Sequence, residues 1–209
     1  MNTTTTIYQN VLDGDAQGVE AGVNQALQEG IAADDILQQG LILAMDEVGK
    51  RFETGDMYVP EMLVAARAMQ CGLRILKPHL VAGGVKSNGR VAVGTVKGDL
   101  HDIGKNLVVM MFEGAGFEVK DLGVDVDPSA FVKAAQEGTQ VIGISALLTT
   151  TMNNMATTIE ALKAAGVRNQ VKVIIGGAPV TTDFAKKIGA DAFAPDAAGA
   201  VRTIRELLA

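Results

Sequence analysis

The sequence predicts a helical bundle followed by an α/β domain with a parallel, flavodoxin-like (Rossmann-like) sheet. From Ile7 to Leu80 apolar residues recur at helical spacing, and no alternating strand pattern interrupts them. Beyond this half, short β-branched runs alternate with longer amphipathic segments, a pattern typical of parallel strands joined by helices. We therefore expect a helical cap domain over residues 1–82, a linker over 83–89 and the α/β domain over 90–209.

The helical half predicts about four helices separated by polar, glycine-containing breaks. Such breaks fall at residues 13–15, around Gly30 and at residues 53–56. Pro60 suits the first turn of a helix that runs towards Leu80, because a proline there gives up no helical hydrogen bond.

The end of the helical half favours neither helix nor strand. It carries turn-forming residues at Pro78, Gly83, Gly84, Ser87, Asn88 and Gly89. This stretch is the predicted domain boundary.

The α/β half predicts a five-stranded parallel sheet. Four of its strands are expected at the β-branched runs Val91–Val96, Phe117–Asp121, Val141–Ile144 and Val173–Ile175. One helix is expected to begin at Pro128, behind a cap at Asp127, and a second is expected to begin within residues 149–154. The last helix is expected to run from about Ala197 to Leu208. Ligands of such sheets bind beyond the carboxyl ends of the first and third strands, which here means loops 97–103 and 145–151.

Composition and charge exclude several classes of function. The chain has 209 residues, a net charge of −6, two histidines and one cysteine. This charge gives no basic surface for nucleic acid, and no apolar run approaches the roughly 20 residues of a membrane helix. Cys71 alone forms neither an internal disulfide nor a cysteine zinc cluster. With no secretory signal at its polar N-terminus, we expect a cytoplasmic protein that binds neither nucleic acid nor membrane.

The loop after the first strand places His101 at the predicted site, with a carboxylate two residues before it at Asp99. A carboxylate that fixes the tautomer of a histidine is common behind metal ligands. With two histidines and one cysteine, a bare zinc site with three or four nitrogen or sulfur ligands would be hard to assemble, whereas a macrocycle with its own equatorial nitrogens needs one axial ligand. The simpler alternative is a polar loop histidine that is hydrogen-bonded to Asp99 or Asp102.

The motif Asp99-x-His101-x-x-Gly104 is followed by Ser145-x-Leu147 and then by Gly176-Gly177, each after a predicted strand. This three-part pattern resembles the cobalamin-binding motif of methionine synthase and of the corrinoid proteins of methanogen and acetogen methyltransferase systems. The resemblance extends to the helical half, where residues 49–52 and 57–62 look like the helical cap of that family.

The resemblance implies a role for each matching residue. His101 would be the lower axial ligand of cobalt, Asp99 would accept its other N–H, and Thr151 would complete the relay at a position where methionine synthase has serine. Lys97 and Lys105 flank the motif and would face corrin amides or solvent. Further cofactor contacts are implied for Phe52, Val59 and Met62 of the cap, Gly98, Asp102, Ile103 and Gly104 of the motif loop, Gly123 and Val124 after the second strand, Ser145, Leu147 and Thr149 after the third, Gly176 and Gly177 after the fourth, and Asp196 and Ala197 after the fifth. For Met62, bundle core is an equal alternative.

The resemblance also implies a function. The chain would carry cobalamin or a related corrinoid, as methylcobalamin and in its Co(I) and Co(II) forms. It would accept a methyl group from a donor-specific methyltransferase and present it to an acceptor methyltransferase that uses tetrahydrofolate or a thiol. A reductive activase is a further expected partner, and the chain is not expected to be catalytic alone.

Two other classes of function stay open for a chain of this kind. One is a cobalamin-dependent sensor or regulator, and the other is a subunit of an adenosylcobalamin mutase. The built-in helical half argues against the mutase, and the lack of tryptophan argues against the regulator. The sequence leaves the methyl donor open among methanol, a methylamine, an aryl methyl ether and a betaine.

Overall fold

The computed structural model describes residues 2–83 and 87–209. Met1 and residues 84–86, which we assigned to the cap and the linker, lie outside the described residues. The chain divides into two compact units: Met1–Ser87 with Glu113–Gly116, and Asn88–Phe112 with Phe117–Ala209. Among the helices of the described residues, none has both the length and the hydropathy needed to span a membrane.

The helices of the first unit confirm the predicted bundle. Apolar residues at helical spacing, such as Ile7 and Val11, are fully buried. Asp15 caps the second helix by accepting a hydrogen bond from the backbone N–H of Gly18 at 2.9 Å. The fourth helix ends at Gly55, whose φ of 79° is in the left-handed region that favours glycine. The helices are α1 Thr3–Leu12, α2 Ala16–Gln28, α3 Ala33–Asp35, a π-helical segment Ile36–Ile42, α4 Leu43–Thr54 and α5 Val59–Ala82.

Pro78 does not end the helical half, contrary to our expectation. Helix α5 begins at Val59, with Pro60 in its first turn, and continues through Pro78 to Ala82. A proline inside a helix loses the single hydrogen bond to the carbonyl four residues earlier, which is Arg74 here. The long apolar pattern of α5 outweighs this local penalty.

The second unit contains a parallel sheet with the strand order β2-β1-β3-β4-β5, which confirms the predicted flavodoxin-like topology. Its strands are rich in Val and Ile because helices cover both faces of the sheet. Phe131, Ile142, Met155 and Ile159 are fully buried in this core. The strands are β1 Arg90–Val96, β2 Glu118–Val126, β3 Val141–Ser145, β4 Lys172–Gly176 and β5 Ala192–Ala194. The helices are α6 Ile103–Gly114, α7 Pro128–Gln136, α8 Asn153–Ala164, the 3₁₀ turn Arg168–Gln170, α9 Thr182–Ile188 and α10 Ala197–Leu208.

Strand β2 is longer than predicted, and its second half is irregular. Gly123 and Val124 therefore lie inside β2, not after it as we expected. The register with β1 shifts twice between Val93 and Val96, and Gly123 has a φ of 86°. Asp125 also has a positive φ, of 52°, which is uncommon for a residue other than glycine. This irregular segment contacts the loop that carries His101, because Asp125 binds the N–H of Gly98 and the carbonyl of Asp99.

Candidate functional site

Asp99 and His101 are joined by two hydrogen bonds at the carboxyl end of β1. Oδ1 of Asp99 accepts from the backbone N–H of His101 at 3.1 Å and lies 2.7 Å from its Nδ1. The Asp99 side chain is fully buried, whereas 49% of the His101 side chain is exposed. Because an ionised carboxylate can only accept, Nδ1 must carry the proton of this contact. In the neutral ring, Nε2 then keeps its lone pair and is available as a ligand.

The other carboxylate oxygen of Asp99 joins this loop to the loop after β3. Oδ2 accepts from the Thr151 hydroxyl at 2.7 Å and from the backbone N–H of Leu147 at 2.8 Å. The N–H of Leu148 points to the same oxygen at 3.3 Å. Loops 97–103 and 145–151 therefore meet at one buried carboxylate, and His101, Asp99 and Thr151 form a continuous chain of hydrogen bonds.

These contacts decide the charge of Asp99. Burial by itself would raise the pKa of this carboxyl group, but the hydrogen bonds from Thr151, His101 and the Leu147 N–H together lower it well below its ordinary value of 3.8. Asp99 is therefore ionised at neutral pH.

Three further side chains hold the backbone of the His101 loop, and none of them was predicted from the sequence to belong to the site. Thr95 donates to the carbonyl of His101 at 2.9 Å. Asp125 accepts from the Gly98 N–H at 2.8 Å, and Asn154 donates to the carbonyl of Lys97 at 2.6 Å. The hydroxyl of Thr95 in an apolar strand was a usable signal in the sequence. The left-handed Asp125 gave no such signal.

The expected start of α8 within residues 149–154 is correct, but its polar residues act differently from what we assumed. The helix begins at Asn153, and no side chain caps it at Met152. Thr151 and Asn154, which suited a cap, instead bind Asp99 and the carbonyl of Lys97. The polar residues at this helix start therefore hold the loop that carries His101 and do not cap the helix.

Exposed apolar side chains flank His101 in both loops. We call Leu100, Ile103, Leu147 and Leu148 the apolar rim; their exposures are 72%, 78%, 42% and 41%. Large apolar side chains left exposed together mark a binding surface more often than a solvated one.

Glycines near the rim leave room for a ligand or for the neighbouring strand. A Cβ at Gly104 or Gly123 would meet no atom within 4 Å, so open space lies beside both. At Gly177, where φ is 128°, a Cβ would collide with the carbonyl oxygen of Ala146, next to Leu147. Only glycine allows the end of β4 to pass this close to the end of β3.

The remaining predicted contacts have diverse surroundings. Asp196 caps α10 by accepting from the Gly199 N–H at 2.7 Å, and Ala197 behind it is buried. Ser145 is half-buried and pairs with Gly176 in the sheet, whereas Thr149 is exposed in a turn. Gly123 and Val124 are half-buried in β2, and Asp102 is exposed just before α6.

Lys105 does not face solvent, which was one of the two expectations for it. Its side chain is only 2% exposed and is paired with Asp121. Lys97 is exposed, and its ammonium lies 3.5 Å from Asp125.

In the first unit, the predicted cofactor contacts differ in burial. Met62 is fully buried, Phe52 is half-buried near the end of α4, and Val59 is 37% exposed at the start of α5. Tyr58 beside it is 70% exposed.

The donor set suits a corrinoid better than a bare metal ion. Within residues 2–83 and 87–209, no three His, Cys, Asp or Glu side chains come together in a way that could hold a metal ion. A free metal would therefore have one strong ligand here, His101. A macrocycle that supplies its own equatorial nitrogens needs only that ligand, and the apolar rim and the open space at Gly104 and Gly123 can accept its bulk.

Comparison with known protein families decides the identity of the fold. Residues 89–205 match a family model described as a B12 binding domain, and residues 4–77 match a second model of the same description. The chain belongs to the B12-binding family. Its cofactor is cobalamin or a related corrinoid, as expected.

Curated relatives of this B12-binding chain are corrinoid proteins. It is 43% identical over 201 residues to the trimethylamine corrinoid protein of Methanosarcina barkeri, which covers 95% of this chain and 93% of that protein. It is 47% identical over 177 residues to the dimethylamine corrinoid protein of the same organism, covering 84% and 83% of the two chains.

Solved structures agree with this assignment. A cobalamin-binding protein from Desulfitobacterium hafniense DCB-2 is similar with a TM-score of 0.80 and 33% identity, over 97% of both chains. A chain of the methanol:cobalamin methyltransferase complex MtaBC from Methanosarcina barkeri is similar with a TM-score of 0.88 and 27% identity, over 99% of this chain and 79% of that one.

Proposed function

We propose that this B12-binding protein is a methyl carrier in a multi-component methyltransferase system, with Nε2 of His101 as the lower axial ligand of cobalt. The observation that carries the proposal is the Asp99–His101 pair. Nδ1 is bound to a buried carboxylate, so Nε2 keeps its lone pair for a ligand, and 49% of the His101 side chain is exposed. When bound, the corrinoid supplies a cobalt that accepts a methyl group from one partner and releases it to another.

The side chains around the histidine would tune this ligand. Ionised Asp99 holds the tautomer in which Nε2 can ligate, and its negative charge increases the basicity of the imidazole. Thr151 and the Leu147 N–H bind the other oxygen of Asp99, so they limit how much charge reaches the ring. The protein thus sets the strength of the axial bond through three hydrogen-bonded groups.

The two halves would divide the remaining work. We propose that residues 90–209 bind the corrinoid, that residues 1–82 form a cap that covers its upper face with Phe52 and Val59, and that residues 83–89 link them. Cofactor contacts would come from the apolar rim and from the residues of the three-part motif.

The partners would be a donor-specific methyltransferase, an acceptor methyltransferase and a reductive activase. The names of the trimethylamine and dimethylamine relatives support a methylamine as the donor, and the similarity to a chain of a methanol:cobalamin methyltransferase complex supports a methyltransferase partner. The acceptor would be tetrahydrofolate or a thiol, and assays with each acceptor methyltransferase would distinguish the two.

The axial ligand can be tested with purified protein. Full-length protein labelled with ¹⁵N-histidine would be loaded with cobalamin and reduced to Co(II), and its electron paramagnetic resonance spectrum would be recorded. We expect nitrogen splitting that changes with the label and is lost in His101→Ala. His79→Ala is the matched control, because His79 is the only other histidine. Label-sensitive splitting that survives in His101→Ala would contradict the assignment.

The class of function can be tested by the upper ligand. Protein isolated from its native cells in the dark would be analysed by mass spectrometry of the extracted corrinoid. A methyl or an unalkylated corrinoid supports a carrier. An adenosyl ligand would instead support a mutase subunit or a regulator and would overturn the carrier proposal.

A further inference from the structure

A buried positive charge lies next to the site and takes no part in the function proposed above. Lys105 is in the first turn of α6, and its side chain is 2% exposed. Its ammonium forms an ion pair with Asp121 of β2 and donates to Oδ1 of Asn106 at 2.6 Å. A buried ammonium loses much of its hydration, so a lysine is a costly residue for packing alone.

Asp121 connects this charge to the irregular half of β2. Its Oδ1 accepts from the backbone N–H of Gly123 at 2.8 Å, while its Oδ2 contacts Lys105. Gly123 lies where β2 leaves its regular register with β1. The ion pair therefore holds the point at which the strand bends.

The bent segment in turn holds the His101 loop. Asp125, two residues beyond Gly123, donates its backbone N–H to the carbonyl of Asp99 at 2.9 Å. Its carboxylate accepts from the Gly98 N–H at 2.8 Å. The position of the backbone just before His101 therefore depends on the position of Asp125 in β2.

The other end of the same loop is held at α6. The N–H of Asn106 donates to the carbonyl of Asp102 at 2.7 Å, and the Asn106 amide donates to the Asp102 carboxylate at 3.1 Å. Because Asn106 also accepts from Lys105, the same ammonium contacts both Asp121, which acts on the start of the loop through β2, and Asn106, which binds its end.

We propose that Lys105 is a positioning residue for His101: through Asp121 and Asn106 it fixes both ends of loop 97–103, and so orients the imidazole. The inference rests on the proposed function for its link to cobalt, but the orientation of His101 can be measured without any cofactor. A purely structural role would require only that α6 and β2 stay packed, and an unbranched apolar side chain of similar length would serve that purpose.

The first test uses the apo protein. Full-length protein labelled with ¹⁵N-histidine gives imidazole signals from His79 and His101 alone, and His79 is an internal reference. We expect the wild-type His101 signals to report a single tautomer with the proton on Nδ1. In Lys105→Met we expect averaged or doubled His101 signals and unchanged His79 signals. Unchanged His101 signals would overturn the proposal.

A second measurement connects the orientation to cobalt. In cobalamin-loaded Co(II) protein, we expect Lys105→Met to shift the equilibrium between ligated and unligated His101 by about tenfold, read from the histidine nitrogen splitting. If the wild type itself lacked the splitting, the proposed axial ligand would be wrong. If the wild type shows the splitting, and Lys105→Met keeps both this splitting and the wild-type apo signals, the axial ligand stands and only the Lys105 inference fails.

Two further variants keep the test decisive. Should Lys105→Met fail to fold by circular dichroism, Asp121→Asn decides the question, because that side chain is 41% exposed and its loss is more easily tolerated. It is expected to give the same averaged His101 signals. Lys120→Met is the matched control: it removes an exposed ion pair with Glu137 from the neighbouring position of β2. An equal effect of the control would also overturn the proposal.

Discussion

The hydroxyl of Thr151 lies 2.7 Å from Oδ2 of Asp99 and so reaches, from another loop, the carboxylate that holds His101. The same hydroxyl lies 2.9 Å from the carbonyl of Leu148. A hydroxyl has one proton for these two acceptors, and the ionised carboxylate is the stronger one. Thr151 therefore supports the negative charge of Asp99 without contacting the histidine.

We expect Thr151→Val to destabilise the apo protein by about 1–3 kcal/mol, because a buried, charged acceptor loses a donor while the shape of the side chain is kept. Thr151→Ser keeps the hydroxyl and should stay within about 1 kcal/mol of wild type. Urea unfolding at neutral pH measures both. A valine variant as stable as the serine variant would show that the hydroxyl proton is directed to Leu148 instead.

Asp99 predicts a pH dependence of stability with a defined sign. Its pKa is lower in the folded protein than its ordinary value of 3.8. The stabilisation from the ionised form is therefore fully present above about pH 4 and is lost as the pH falls towards the folded-state pKa. The difference in unfolding free energy between wild type and Asp99→Asn should therefore shrink as the pH falls below about 4. A difference that grows on acidification would contradict the ionised state of Asp99.

Gly177 should be intolerant of any side chain. Gly177→Ala adds a Cβ that collides with the Ala146 carbonyl, on a backbone with a φ of 128°. We expect a loss of on the order of 3 kcal/mol or more in urea unfolding. The control is Gly166→Ala, where φ is also positive but nothing lies within 4 Å. Its cost should be only about 1–2 kcal/mol. Equal losses would mean that backbone strain, not the close approach of β3 and β4, explains the glycine.

Ile103 allows ligand binding to be tested separately from folding, because its side chain is 78% exposed. We expect Ile103→Asn to leave apo stability within about 0.5 kcal/mol of wild type. Corrinoid affinity, measured by titration with cobalamin, should fall by roughly 5- to 30-fold, since a buried apolar side chain contributes about 1–2 kcal/mol. Val64→Asn in the first unit, at a position that is 46% exposed, should leave affinity unchanged. If Ile103→Asn bound cobalamin with wild-type affinity, the apolar rim would not be part of the binding site.

The order of the elements and the topology of the sheet could be predicted from the sequence because they depend on local patterns. Continuous β-branched runs indicate strands covered on both faces, and residues such as Asp127 before Pro128 cap their own helix. The last helix likewise begins and ends at Ala197 and Leu208, as its amphipathic pattern predicted. Local patterns failed at Pro78, where the apolar face of a long helix outweighs a single helix breaker.

Long-range contacts were decided only by the tertiary structure. Asp99 is bound by Leu147 and Thr151, which are 48 and 52 residues away. The family resemblance implied the Thr151 contact, but the spacing of the motif by itself gave the geometry of neither contact. The left-handed Asp125 and the buried charge of Lys105 are costly by themselves and persist because distant partners compensate them. The sequence by itself thus determined which strand end carries His101, whereas the packing of β2, α6 and the loop after β3 decided how the imidazole is held, because that orientation depends on hydrogen bonds between segments far apart in the chain.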